Sequence, residues 1–337
     1  MSKILSVAIP TYNMEALLER CLNSFIVNEA TLDHLEVIVI NDGSKDRSSA
    51  IAHEYENRYP QTFKVIDKEN GNYGSCINRV LKEATGKYFK ICDADDRYDT
   101  ASLEEFIQFL AAAQSDIVFS PYKILDFESK EKSSLTPVEK YSDRTMDIED
   151  VDWQSPDLFG YRAMHAMCTR TDILRDNHYK QTEGISYTDT EFVFYSVLYS
   201  RTCSFFVHPI YFYYLGRDGQ TMSPASMVKS HMNFHITGKR MLDDYVKLPR
   251  EIGQEKQRLL YRTVRACVLP FVSVSLLRIR DNKKQLTLIE GLIQESRKST
   301  LTCPLEEDLL RERYYRAWKK YHIPSSILQA WMKFRKR

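Results

Sequence analysis

The sequence predicts an α/β protein: a doubly wound, mostly parallel sheet with a helical extension at its C-terminal side. Short apolar runs alternate with segments of helical period over roughly the first 120 residues, and several of those runs end in polar, carboxylate-bearing exits. Beyond about residue 226 the pattern is predominantly helical.

The first strand runs from Ile4 to Ile9, with Leu5, Val7 and Ile9 on one face and Pro10 closing it. After Thr11-Tyr12-Asn13, the residues Leu17, Leu18, Cys21, Leu22, Phe25 and Ile26 form the stripe of a helix packed on a sheet, with Asn13 as its N-cap. Leu35 to Ile40 is nearly continuous in apolar residues, as a parallel strand covered on both faces must be. It leaves through Asn41-Asp42-Gly43-Ser44 into a helix that includes Ile51 and Tyr55. Phe63 to Ile66 is a third strand, Ser75 to Glu83 a helix and Lys87 to Cys92 a fourth strand. The helix Leu103 to Leu110 and the strand Asp116 to Ser120 complete the alternation.

The fourth strand ends in Asp93-Ala94-Asp95-Asp96. A buried strand cannot carry three carboxylates inside it unless they are paired or coordinated, so they belong at its exit. In an open α/β sheet that exit faces the ligand crevice, and Pro10 to Asn13 and Asn41 to Asp46 open on the same side. Asp93 and Asp95 repel each other across one side of an extended segment, a strain that Mg²⁺ or Mn²⁺ relieves. An acidic turn closing a strand is the plainer reading of the same residues. Neither G-x-G-x-x-G nor G-x-x-x-x-G-K-[ST] follows the first strand, which excludes the usual dinucleotide and P-loop sites. A diphosphate here has to be neutralised by metal and by Arg or Lys side chains.

With 43% hydrophobic and 28% charged residues in 337, and a net charge of +1, the chain is an ordinary soluble type with no global argument for nucleic acid. Seven dispersed cysteines without a C-x-x-C pair argue for a reducing compartment and against structural zinc. Met-Ser-Lys-Ile-Leu-Ser-Val enters a strand directly, without a signal peptide or an apolar run of membrane-spanning length, so the expected location is the cytoplasm.

Four segments in order carry a resemblance: Val7 to Asn13, Val39 to Asp46, Asn70-Gly71 to Asn78, and Cys92 to Asp96. Together they resemble glycosyltransferase family 2, of the inverting type that builds bacterial cell-surface polysaccharides. The resemblance implies a GT-A fold, a nucleotide-sugar donor, a divalent metal (Mg²⁺ or Mn²⁺) and inversion at the anomeric carbon. Carried onto matching positions, Pro10, Thr11 and Tyr12 border the nucleotide and Asp42 accepts from the base, which suggests uracil. Asp93 lies near the ribose or metal, and Asp95 is the main metal ligand. Gly184 to Phe192 is similar to the acidic helix start that supplies the acceptor-activating base, with Asp189 in the better matching place. Acidic residues also suit a helix N-terminus for structural reasons alone. Tyr211 to Ser223 looks like the family's Tyr/Arg-rich segment, and Arg217 is its candidate for the donor diphosphate, although a surface Arg in a turn accounts for it equally.

The expected organisation is a nucleotide-sugar-binding core over residues 1–120, an acceptor-binding part of the same domain over 121–225, and a helical region over 226–337. Residues 126–150 are charged and Ser-rich, and read as a solvated loop or lid without a core of its own. His165, alone among apolar neighbours, reads as a satisfied core histidine, and His231 and His235 as helix residues, with His231 an outside candidate at the cleft. Pro270 is expected to kink or break its helix. From Arg311 onward there are nine Lys or Arg and one Glu among aromatic and aliphatic residues. That suits either an interfacial helix on an anionic membrane or a packed helix with a solvated basic face. The activity expected is sugar transfer from a nucleotide-sugar, with UDP the expected carrier, to a hydroxyl of a glycan or lipid-linked acceptor. The alternatives are a non-catalytic nucleotide-sugar or carbohydrate-binding protein and a phosphatase, though a phosphatase needs its Asp-x-Asp pair after the first strand.

Overall fold

The computed structural model describes residues 2–142, 144–216 and 223–334, the last four through their backbone alone. The chain divides into two compact units, Met1–Arg217 and Asp218–Arg337.

In the first unit β1 (Leu5–Thr11), β2 (Leu35–Asn41), β3 (Phe63–Asp67) and β4 (Tyr88–Ile91) pair in parallel. Val7, Ala8, Val37, Ile38, Val39 and Ile40 are all fully buried, so both faces of β1 and β2 are covered. The helices between and after these strands are α1 (Leu18–Asn23), α2 (Glu29–Leu32), α3 (Ser48–Arg58), α4 (Asn72–Glu83) and α5 (Thr100–Ala112). The short β5 (Arg97–Tyr98) precedes α5, and β6 (Ile117–Phe119), β7 (Tyr122–Asp126), β8 (Glu131–Ser134), β9 (Met146–Asp147) and β10 (Met167–Arg170) follow it. The unit continues with α6 (Thr171–Asp176), α7 (Asp189–Tyr199), β11 (Thr202–Phe205) and β12 (Tyr211–Leu215).

The main sheet has the order β3-β2-β1-β4-β10-β6-β11-β9, and a smaller one the order β5-β12-β7-β8. Sequence alternation puts β6 next in line after β4, but β10 lies between them, antiparallel to both. Met167, Cys168 and Thr169 are fully buried, which requires a neighbour on each side and a cover on each face.

Two local expectations change. Asn13 does not cap α1, which starts at Leu18; it sits at φ 52°, donates its N–H to Ser44 Oγ (3.0 Å) and accepts the Lys45 N–H on its side chain (2.8 Å). Asn tolerates the left-handed region, so here it ties the exit of β1 to that of β2. The charged stretch after β7 is not a coreless loop, because β7 and β8 form a hairpin and Val138, Tyr141 and Ile148 beyond it are buried.

The second unit contains α8 (Pro224–Lys229), α9 (His231–Tyr245), α10 (Gln254–Leu277), α11 (Lys283–Ser296), α12 (Leu305–Arg311), α13 (Arg313–Tyr321) and α14 (Ser325–Phe334). Helix α10 continues through Pro270, and Val264, Val268, Phe271, Val272 and Leu276 are buried along it. By length and composition α10 could cross a membrane, but 67% of its apolar stretch is buried in the protein, as in a core helix packed on α9, α11, α13 and α14. His231 stacks on Phe271, with its ring nitrogens 2.8 Å from the Val228 carbonyl and 3.1 Å from the Gln285 amide. His235 packs on the same Phe271 ring.

Candidate active site

The strand register brings three polar exits to one edge. Thr11 pairs with Asn41 and Ala8 with Ile91, while the Asp42 N–H donates to the Thr11 carbonyl (2.8 Å) and the Cys92 N–H to that of Ala8 (2.9 Å). Pro10 is half-buried, Thr11 buried and Tyr12 46% exposed, so this rim passes from core to solvent within three residues. Asp42 is buried and held by the chain's own donors: Lys68 Nζ at 2.5 Å and the Gly71 N–H at 2.9 Å reach its carboxylate. The Asn70 side-chain amide donates to the Asp42 carbonyl (2.8 Å).

At the β4 exit the three aspartates differ. Asp96 is fully buried, accepting the Tyr211 hydroxyl (2.6 Å) and the Tyr214 N–H (2.8 Å), both from β12. Burial and the charges of Asp93 and Asp95 push its carboxyl well above the usual range, against the pull of those two bonds. Asp93 is half-buried; it takes the Tyr73 hydroxyl on Oδ1 (2.9 Å), and its N–H donates to the Tyr211 hydroxyl (3.2 Å). Burial first, and then the charge of Asp95, pushes Asp93 up to about 7. Asp95 is half-buried, and its carbonyl accepts from Arg20 Nη2 (2.6 Å). The Arg20 guanidinium itself lies 3.8 Å from the centroid of the Tyr214 ring, which sets a cation beside the acidic turn.

Asp189 is the first residue of α7. Burial raises its pKa, and the N–H groups of Asp189 and Thr190 pull it back. Its charge acts on Asp93, Tyr73 and Tyr213, so it belongs to the same group of side chains. The Asn70-to-Gly74 turn helps to bring it there. Asn78 on α4 donates to the Gln181 carbonyl (2.9 Å) and accepts the Gln181 N–H (2.7 Å), and the Gly184 N–H donates to the Gly71 carbonyl (3.0 Å). A Cβ at Gly74 would lie 2.0 Å from the Thr182 carbonyl oxygen, so only glycine allows this approach. Glu191, two residues beyond Asp189, is fully buried and accepts both the N–H (2.8 Å) and the hydroxyl (2.7 Å) of Thr182. Its carboxylate is committed to the segment that leads into α7.

His165 departs from the expected satisfied core histidine. Its two ring nitrogens are buried without a hydrogen-bond partner among the described residues, while the ring packs against Tyr122, Tyr211 and Tyr213. Burial and the nearby Lys90 lower its pKa to about 3, leaving a neutral imidazole. Lys90 is itself fully buried in β4 and donates to the carbonyls of His165 (2.7 Å) and Met167 (3.0 Å). Among the described residues, Asp93, Asp96 and His165 form a set whose ligand atoms all lie within 4.8 Å of one another, with Asp95 beside it in the chain. Oxygen donors and one imidazole suit a divalent cation of the Mg²⁺ or Mn²⁺ type, and the orphaned ring nitrogens fit such an occupant.

Arg217 lies outside the described residues. Tyr73 and Arg20 receive no role in the sequence reading, Tyr211 none as a partner of the aspartates, and His165 reads there as a core residue. The period-2 alternation of Tyr211-Phe212-Tyr213 does put two hydroxyl-bearing rings on one face, and a Tyr between the turn residues Asn72 and Gly74 is itself an anomaly.

A mostly parallel sheet with its acidic exits on one edge, a smaller sheet and C-terminal helices is the layout of GT-A-fold proteins. The structure of S. aureus TarS residues 1–349 in complex with UDP-GlcNAc shares it, with a TM-score of 0.67 and 19% identity over 98% of this chain and 92% of that one. Residues 6–169 match the model of glycosyl transferase family 2, just under half of the chain. Asp189 lies beyond the matched stretch. An uncharacterized glycosyltransferase of Rickettsia prowazekii is 32% identical over 149 residues, 44% of this chain and 45% of the relative. The poly(ribitol-phosphate) beta-glucosyltransferase of Bacillus spizizenii is 27% identical over 229 residues, 66% of this chain and 34% of the relative. The chain thus spans less than half the length of these two curated relatives.

Proposed function

We propose that this protein is an inverting glycosyltransferase that moves a sugar from a UDP-linked donor to a hydroxyl of a glycan or lipid-linked acceptor. The observation that supports the reading is that the Asp189 charge acts on the hydrogen-bonded Asp93–Tyr73 pair at the acidic strand exit. Pro10, Thr11 and Tyr12 border the nucleotide, and Asp42 accepts from the base. Asp95 is the principal ligand of Mg²⁺ or Mn²⁺, with Asp93 near the ribose or metal. Arg217, by the same resemblance, meets the diphosphate. The cation supplies positive charge opposite the departing diphosphate.

Asp189 takes the proton of the acceptor hydroxyl as its oxygen bonds to the anomeric carbon. The bond from that carbon to the diphosphate oxygen breaks, and UDP carries away the electron pair. With the leaving group stabilised in this way, one catalytic carboxylate suffices, in contrast to the pair used in glycoside hydrolysis. The poly(ribitol-phosphate) relative supports a cell-surface polymer as the acceptor. Exposed Arg313, Arg316 and Lys320, with Tyr321 at 61% and Ile327 at 57% exposure, support peripheral contact of the C-terminal helices with an anionic membrane. The working site is then the cytoplasmic face.

UDP release is the test, measured with UDP-glucose, UDP-galactose and their N-acetyl forms in the presence of Mn²⁺ and acceptor polymer. Acceptor-dependent release from one donor is expected. Binding of a donor without release in the presence of every acceptor class identifies a carbohydrate-binding protein instead, and release of inorganic phosphate a phosphatase.

A further inference from the structure

We infer that the His165 imidazole is a direct ligand of the divalent cation at the β4 exit, acting with Asp93 and Asp96. The inference rests on the metal-dependent nucleotide-sugar reading for the presence of the cation, and adds a nitrogen donor to a site otherwise made of carboxylates.

Geometry is the first argument. The ligand atoms of the three residues lie within 4.8 Å of one another. Donors about 2.1 Å from a Mg²⁺- or Mn²⁺-sized ion are about 4.2 Å apart when opposite and about 3.0 Å apart when adjacent, so side-chain movements of at most about 2 Å close the set on one ion.

The second argument is the state of the histidine. A buried imidazole normally bonds through at least one nitrogen, often to a carbonyl that fixes its tautomer. Here neither nitrogen has a partner among the described residues, although the ring is packed against Tyr211 and Tyr213 with centroids 4.8 and 4.4 Å away. Lys90 ties down the carbonyl of the same residue. A ring held this firmly, with its lone pair unused and two carboxylates in reach, is preorganised for a cation. Asp93 and Asp96 already accept hydrogen bonds from Tyr73, Tyr211 and Tyr214, and each carboxylate oxygen keeps a second lone pair for a metal. Those bonds orient the oxygens as second-shell partners do in metal sites.

The experiment is electron spin echo envelope modulation on the full chain with Mn²⁺ and UDP. The expected spectrum shows ¹⁴N modulation from one imidazole, replaced by the ¹⁵N pattern in protein grown on ¹⁵N-histidine and absent from His165→Gln. The same variant should bind Mn²⁺ in the presence of UDP at least ~10-fold more weakly. If His165→Gln does not fold, His165→Asn serves, and the labelled wild-type spectrum still decides between nitrogen and all-oxygen coordination. Mn²⁺ bound with UDP, with ³¹P coupling but no nitrogen coupling, overturns the inference and leaves the donor reading intact. No uptake of Mn²⁺ with UDP overturns both.

Discussion

Asp189→Asn tests the proposed role of this carboxylate as the base. Asp189 opens α7 and takes the N–H groups of its own residue and of Thr190 on its carboxylate. The Asn side-chain oxygen can accept the same bonds, so the change in stability should stay within ~1 kcal/mol, a helix-terminus effect. In a chain of 337 residues that corresponds to roughly 1–2 °C in Tm. Removing the general base costs about 10²–10⁴-fold in rate, or roughly 3–5 kcal/mol of barrier, well beyond anything the stability change can produce. Calorimetry should give unchanged binding of UDP-sugar and Mn²⁺, while acceptor-dependent UDP release collapses. The wild-type rate should climb with pH as the base ionises, and because burial raises the pKa of Asp189 that limb lies above the ordinary aspartate range. The variant should lack the limb. Transfer by Asp189→Asn within a few-fold of wild type removes this residue from the mechanism. Glu191→Gln is the comparison, because its carboxylate is fully buried and accepts both Thr182 bonds. Gln leaves one of those donors facing an NH₂, which should cost about 1–3 kcal/mol of stability. A stable but inactive Glu191→Gln beside an active Asp189→Asn reassigns the base.

Asp95→Ala should abolish metal-dependent UDP binding with little change in Tm, and unchanged Mn²⁺-dependent affinity by calorimetry rejects its role as principal ligand. Gly74→Ala should lose about 1–3 kcal/mol in urea titrations, since its Cβ lands on the Thr182 carbonyl; wild-type stability means the segment 181–184 gives way freely. Without metal the Asp93 carboxyl keeps its proton up to about pH 7, so Mn²⁺ binding should release a proton at pH 6 and tighten as pH rises toward 8. Its folded pKa lies above the unfolded value, so the metal-free protein loses this group's stability as pH rises through that interval; calorimetry in two buffers of different ionisation heat counts the proton, and none released at pH 6 refutes the reasoning. Glu at Arg313, Arg316 and Lys320, all exposed, should weaken binding to anionic vesicles, and salt should weaken wild-type binding; equal binding by the folded variant rejects the membrane contact.

The strands β1, β2 and β4 and their polar exits were legible in the sequence because their signal is local: continuous apolar runs end in Asp, Asn and Gly. Asp189 was legible as a helix start. β10 was not, because Met167-Cys168-Thr169-Arg170 has neither strict alternation nor an apolar run, and its place is fixed by β4 and β6. The partners of the aspartates were hidden for a similar reason. Tyr73 and Tyr211 reach Asp93 and Asp96 from α4 and β12, and only the folded chain brings them within bonding distance. His165 shows the limit of composition as a guide. Its apolar sequence neighbours suggested a contented core residue, whereas its spatial neighbours among the described residues include two carboxylates and no hydrogen-bond partner.

The position of β10 governs how the protein must be born. During synthesis β1 to β4 emerge early and can zip together, but β4 gains its outer neighbour only when residues 167–170 leave the ribosome. Until then Tyr88, Phe89 and Ile91 form an unprotected sheet edge, the kind of surface on which nascent chains pair with one another. The intervening residues 121–166 therefore have to fold aside without occupying that edge, and the β7–β8 hairpin, which builds the smaller sheet with β12, diverts part of them. A fragment that stops near residue 120 has the polar exits of β1, β2 and β4 but no cover for β4. The N-terminal part of the sheet therefore depends for its solubility on chain that is translated later.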